Sequence, residues 1–229
     1  MLNTSLLSLL QLTDPTLPIG GFSHSAGLET YVQQRLVKDA ATAQEFITGM
    51  LAQNIRYTDA ALVSLAYDAV QQNNIEKIVA LDVECTSVKL PKEIRLASQK
   101  LGIRLLKIFE EIHPHALANA YKKAIDTKVA AGHYCLVFGL YAFALGIPKA
   151  EALTGFYYNA AVGMVTNSVK LIPLGQQDGQ KLLFALQPLL QELVQSSLNP
   201  DLHLIGLCCP GFDMRSMQHE QLYSRLYMS

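Results

Sequence analysis

A chain of 229 residues that is 50% hydrophobic and 16% charged can bury a core of its own, roughly 70–75% of its unfolded surface, and that composition excludes intrinsic disorder. A net charge of −1 without a basic block leaves no electrostatic footprint for nucleic acid. Cys85, Cys135, Cys208 and Cys209 form no C-x-x-C pair, so zinc-ribbon and thioredoxin chemistry are not indicated and reduced cytoplasmic thiols are expected.

Read in chain order, the sequence is helical almost throughout. "MLNTSLLSLLQLTD" has no positive n-region and no small-residue cleavage site, so a short amphipathic helix ending near Thr13 and Asp14 is expected rather than a signal peptide. The following stretch, Leu17 to Glu29, reads "LPIGGFSHSAGLE". Pro15 and Pro18 push Thr16–Leu17 toward extended geometry. Gly20 and Gly21 permit positive φ and a sharp turn. Ser23 or Ser25 can cap the helix that continues through Gly27, Leu28 and Glu29.

"TAQE", Thr42 to Glu45, fits a capping box that opens a helix carrying Phe46, Ile47, Met50 and Leu51. Asn73 and Asn74 mark a break, and Pro91 suits the first turn of a helix reaching about Ile112, where Pro114 ends or kinks it. Tyr134 to Ile147 is the longest apolar run. At 14 residues it is shorter than the ~20 needed to span a bilayer, so it reads as a central buried helix. Gly132, Gly139 and Gly146 recur along it at a spacing that lets a neighbouring backbone approach. Leu182, Leu183, Leu186, Leu189, Leu190 and Leu193 form one helical stripe. The expectation is one all-α domain, a helical bundle over residues 1–199, with an irregular to short-helical tail at 200–229.

Catalytic constellations are missing from the sequence. "GFSHS", Gly21 to Ser25, departs from G-x-S-x-G at its last position and follows no strand. No P-loop, G-x-G-x-x-G or H-E-x-x-H stands in the chain. His113 and His115 flank a proline at a helix boundary and read as a turn, while His133 reads as a hydrogen-bonded core histidine. The alternative is a stand-alone helical hydrolase using Ser23 and His24, and a further one an integral membrane protein.

Several blocks resemble one family. Asp14 to Glu29 is similar to the N-terminal signature of the urease accessory protein UreF family. So are "KEIRLASQKLGIRLLKI" (Lys92 to Ile108), "GHYCLVFGLYAFALGI" (from Gly132), "VKLIPLGQQDGQKLL" (Val169 to Leu183) and "HEQLYSRLYMS" (His219 to Ser229). The last departs from the family at Tyr227 and Met228, where Phe and Arg are usual. The resemblance implies a cytoplasmic all-helical protein that is not an enzyme and forms a homodimer. It implies a partnership with UreD (also called UreH), the GTPase UreG and the urease apoprotein, modulating GTP hydrolysis while nickel is inserted into urease. No cofactor or metal site is expected in this chain itself, since the assembly handles the nickel.

The expected partner-binding residues fall in three groups: Phe22, Ser23, His24 and Glu29 in the loop; Lys170, Gln176 and Gln180; and His219, Glu220, Leu222, Tyr223, Arg225 and Leu226 in the tail. Asp14, Pro18, Gly20, Gly21, Gly27, Pro173 and Gly175 are expected to shape the backbone around them. The tail, with Met214, Met217, Leu222, Tyr223 and Leu226 as an apolar face, is expected to dock a partner.

Overall fold

The computed structural model describes residues 4–21, 25, 27–223 and 225–226. Every regular element among them is a helix, and the chain is all-α. The first is α1 (Thr4–Leu12), which ends where the pattern places it. Leu12 is buried, but Leu6, Leu7 and Leu10 face outward at 46%, 63% and 58% exposure.

After the loop come α2 (Leu28–Gln33) and α3 (Ala40–Gly49). The capping box exists, shifted by one turn from its expected register. Asp39 is the N-cap, its carboxylate accepting from the Thr42 amide at 2.9 Å while Thr42 Oγ1 accepts from the Asp39 amide at 3.1 Å. Thr42 therefore closes the box rather than opening it. The helix continues as a π-helical segment, Met50–Ala60, and then as α4 (Ala61–Gln71). Such wide turns are rare and usually short, and no sequence pattern announced this one.

Asn73 in the left-handed region and Asn74, whose side chain accepts from the Lys77 amide at 2.9 Å, make the expected break before α5 (Ile75–Val88). Pro91 then precedes α6 (Lys92–Ile112), as anticipated. The His113–His115 turn leads into α7 (Ala116–Asp126), with the His113 ring bonded to the Ala144 carbonyl at 3.1 Å.

The apolar run forms α8 (Tyr134–Ala144), buried on almost every side and packed chiefly against α4 and α6. Its glycines divide their work differently from the even stripe expected. Gly132 (φ 82°) and Gly146 (φ 69°) lie outside the helix and turn the chain at its two ends. Gly139 alone makes the close approach within it, since a Cβ there would stand 2.5 Å from the Val63 carbonyl oxygen. Gly102 of α6 does the same from the other side, where a Cβ would come within 2.1 Å of the Gly132 oxygen.

A second spine, α9 (Lys149–Leu171), carries α10 (Gln176–Ala185) and α11 (Gln187–Ser197) on its flank. The leucine stripe is thus two helices, broken before Pro188, which can start a helix but not continue one. The tail contains a short 3₁₀ turn (Leu202–Leu204) and α12 (Pro210–His219), begun by a proline, which suits the first helical position. This last helix packs on α2 and α6, and its Phe212 joins the same core as the rest of the bundle.

Gly139→Ala should lower stability by about 1–3 kcal/mol, because the added methyl meets a backbone oxygen. Gly163→Ala, in the middle of α9 with nothing within 4 Å of the added Cβ, should raise it by about 0.4–1 kcal/mol. Urea denaturation of the two variants checks both signs.

Candidate functional site

The loop after α1 is built by short-range bonds. Asp14 Oδ1 accepts from the Thr16 amide and hydroxyl, both at 2.7 Å, and these bonds hold the exposed carboxyl below its ordinary value. The Leu17 amide donates to the Asp14 carbonyl at 3.0 Å. Asp14 to Leu17 is therefore a turn with Pro15 second, not the extended segment expected. Exposed Pro18 sits inside a tighter turn closed by the Ile19 amide on the Leu17 carbonyl at 2.7 Å.

The glycines separate by function. Gly20 has φ 87° and lies against Arg104, whose guanidinium donates to the Ile19 carbonyl at 3.0 Å. Gly21 has no positive φ, and a Cβ there meets nothing within 4 Å, so the conformational demand expected of both falls on Gly20. Gly27 (φ 80°), rather than a serine, is the N-cap residue of α2, and Ser25 contributes its carbonyl to the Leu28 amide at 3.2 Å. A Cβ on Gly27 would meet Ser216 Oγ at 2.7 Å, so α12 lies directly on this glycine. Phe22, Ser23 and His24 lie outside the described residues.

In the first turn of α2, Glu29 meets the tail. His219, at 1% exposure, places Nε2 3.1 Å from Glu29 Oε2 and Nδ1 2.6 Å from Glu93 Oε2. Arg225 donates to Glu93 Oε1 at 2.9 Å, and the Leu226 amide donates to Glu29 Oε1 at 2.7 Å. A carboxylate only accepts, so both ring contacts are hydrogen bonds only when the imidazole carries a proton on each nitrogen. Arg225, itself partly exposed, adds a positive charge beside Glu93 at the rim of the buried Glu29–His219 contact.

Around this latch, the Arg215 guanidinium stacks 4.8 Å above the Tyr31 ring and donates to Gln34 Oε1 at 3.2 Å, while Gln34 donates to Gln218 at 3.0 Å. The structure thus joins Glu29, His219 and Arg225 of the expected site. It adds Glu93, Gln34 and Arg215, which the sequence reading left out although Glu93 stood inside one of the quoted blocks. Glu220 is exposed, Leu222 half-buried, and Tyr223 and Leu226 stand out into solvent, as do Met214 and Met217. His219 itself faces inward.

Beside the latch opens a cavity of about 330 Å³. Its walls are largely apolar, with Ile19 from the loop, Leu101 from α6, Phe156 from α9 and Phe212 from α12 among them. The π-helical segment contributes Asn54 and Asp59. Asp59 holds Lys89 through both oxygens at 2.8 and 2.7 Å, and Thr58 donates to it at 3.0 Å. Burial pushes the Asp59 carboxyl up, but Lys89 outweighs it and leaves the group below its ordinary value. The same pairing keeps the Lys89 ammonium above its ordinary value in spite of burial.

The second expected group, Lys170, Gln176 and Gln180, lies at the α9–α10 corner. Lys170 closes α9, and Gln176 and Gln180 are exposed on α10. Pro173 and Gly175 form the corner, with Gly175 the N-cap; Asp178 accepts from Lys181 at 3.0 Å in the first turn of α10.

His219→Ala would leave Glu29 and Glu93 facing each other without their shared partner. The expected cost is on the order of 3 kcal/mol, because a buried charge loses its compensation. Deleting Gln218 to Ser229 should therefore lower the melting temperature as well, a reversal of what a loose tail would give. Thermal unfolding followed by circular dichroism measures both.

Comparison with known proteins bears on the whole chain. A family model described as UreF matches residues 37–187. The urease accessory protein UreF of Actinobacillus pleuropneumoniae is 51% identical over 222 residues, covering 97% of this chain and 98% of that protein. That of Haemophilus influenzae (strain PittGG) is 51% identical over 226 residues, covering 99% and 96%. The more distant UreF of Bacillus sp. (strain TB-90) is 34% identical over 224 residues, covering 98% and 99%. The chain belongs to the UreF family of urease accessory proteins and is an accessory protein rather than an enzyme.

Proposed function

We propose that the chain serves urease maturation as an adaptor, joining UreD (UreH) to the GTPase UreG on the urease apoprotein. In this reading it modulates GTP hydrolysis by UreG while nickel, the cargo of the assembly, passes to the urease active site. It works in the cytoplasm as a homodimer, and residues 200–229 form its partner-docking segment. No helix among the described residues is long and apolar enough to cross a membrane. Membership of an accessory-protein family leaves the hydrolase reading of Ser23 and His24 without support.

The observation that carries the adaptor reading is the make-up of the tail. Its inner side is fastened by Phe212 and by the polar latch on Glu29 and Glu93. Its outer side presents Met214 at 58%, Met217 at 44%, Tyr223 at 106% and Leu226 at 68% exposure. Methionine and tyrosine supply adaptable and rigid apolar contact area respectively, and both are favoured in binding surfaces. UreD is the proposed occupant of this face. The exposed amides of Gln176 and Gln180, with Lys170, are proposed as a second contact.

Co-purification with UreD and UreG from one cell, each tagged in turn, tests the proposal. The wild-type chain should be retained by both partners. Met214→Asp combined with Met217→Asp should melt like the wild type yet lose UreD. Retention of UreD by that variant removes the α12 face from the interface, and failure of the wild-type chain to co-purify with either partner overturns the adaptor reading. The purified chain alone should turn over no GTP, and turnover that follows it through successive columns would contradict the proposal.

A further inference from the structure

Two thiols stand in the interior unused by anything described so far. Cys85 occupies the last turn of α5 and Cys135 the first turn of α8. Their sulfurs are 3.7 Å apart, and both residues are 0% exposed. We propose that Cys85 and Cys135 form an oxidisable pair, a modification site at which hydrogen peroxide converts the two thiols into a disulfide linking α5 to α8.

The geometry carries most of this. The contact distance must shrink to the roughly 2.05 Å of an S–S bond, a change within reach of side-chain rotation at two adjoining helix ends. No third residue has to leave, because the sulfurs already touch. The last turn of a helix is where local opening is least costly, and Lys89, one turn beyond Cys85, lines the open cavity. Peroxide is scarcely larger than water, and the route inferred for it is local opening on that side.

The electrostatics agree. Burial pushes the Cys85 thiol up, but hydrogen bonds from Cys135 and His133 and the positive charge of Lys89 overcome it and bring the thiol down to about 6. Burial and the neighbouring Cys85 push Cys135 the other way, well above its ordinary value. The two shifts run in opposite directions, which makes Cys85, beside the N-terminal turn of α8 where negative charge is favoured, the more readily ionised member. Cys208 and Cys209, nearer the surface, are both raised, by burial and by Asp213. The nucleophilic thiol is therefore the buried one, since the thiolate is the reacting form.

The chemistry balances with peroxide as the oxidant. The Cys85 thiolate attacks one oxygen of the peroxide, the O–O bond breaks, and hydroxide leaves, giving a sulfenic acid. The Cys135 sulfur then attacks the sulfenic sulfur. Its proton and the departing hydroxyl leave as water, and the S–S bond forms. The hydroxide takes up the proton that Cys85 released on ionising, so two thiols are oxidised by two electrons and one peroxide is reduced to two waters.

The test uses the full chain carrying Cys208→Ser and Cys209→Ser, so that only the buried pair remains. After exposure to hydrogen peroxide the protein is denatured in N-ethylmaleimide, digested with trypsin and analysed by mass spectrometry, with helicity followed by circular dichroism during the reaction. The expected result is loss of both alkylatable thiols and a peptide pair joined through Cys85 and Cys135. The link should be reversed by dithiothreitol and form while the helical signal is intact. Adding Cys135→Ser should leave a dimedone-reactive sulfenic acid at Cys85; if that variant does not fold, the first measurement still decides. Two free thiols at a peroxide concentration that oxidises Cys208 in the wild type would overturn the proposal. So would a link that forms only as helicity is lost, or conversion of Cys85 to sulfinic acid with Cys135 still free.

Discussion

The carboxylate of Asp82 fixes where the central helix begins. It reaches from α5 and accepts from the amides of Ala131 at 2.6 Å, Gly132 at 2.9 Å and His133 at 3.2 Å, and from the Tyr121 hydroxyl. These amides precede α8, where no helical carbonyl is available to them. Burial and the charge of Asp82 together hold the Tyr121 phenol well above its ordinary value, so it remains a donor. With its start pinned, α8 can slide neither along α4 nor along α6. The close approaches at Gly139 and Gly102 then hold in one register. His133 is aimed so that its ring meets Thr86 Oγ1 at 3.0 Å and Ser98 Oγ at 3.1 Å, which ties α5, α6 and α8 at a single point.

What was legible in the sequence was mainly what is local. The break at Asn73–Asn74, the start of α6 after Pro91 and the burial of α8 each depend on a few neighbouring residues whose preferences point one way. The capping box slipped by a turn because Thr42 can serve as either member of the pair, and only the carboxylate of Asp39 decides between them. The leucine stripe looked continuous because the periodicity of apolar residues survives Pro188, although the helix does not. The π-helical segment has no compositional signature at all. Gly21 looked as constrained as Gly20 because the demand on a glycine comes from what packs on it, here Arg104, from a helix more than eighty positions away.

The same limit explains the site. Glu29, His219 and Arg225 were singled out as polar residues of two conspicuous segments, but their common purpose becomes visible only when Glu93 joins them. That fourth residue opens α6, and the separations of 126 and 190 positions between His219 and its two carboxylates leave no periodic trace. The family resemblance placed the chain in its family without locating these contacts, because a motif records residue identity and not which residues meet.

Along α12 the inward residues are Phe212, Ser216 and His219, spaced by about one helical turn. The first lines the cavity, the second lies against Gly27, and the third closes on Glu29 and Glu93. A single ten-residue helix therefore covers the cavity, the loop and the latch with one face, and offers methionines on the other. Its hold on the bundle combines the buried Phe212 ring, the stacking of Arg215 on Tyr31, the hydrogen bonds to Gln34 and the polar latch on Glu29 and Glu93. Removing His219 takes away the one side chain that contacts both Glu29 and Glu93, so the seated position of the helix depends on it. Under the proposed docking, a partner on the outer face would bear on the one helix whose inner face carries the cavity wall, the contact with Gly27 and the latch.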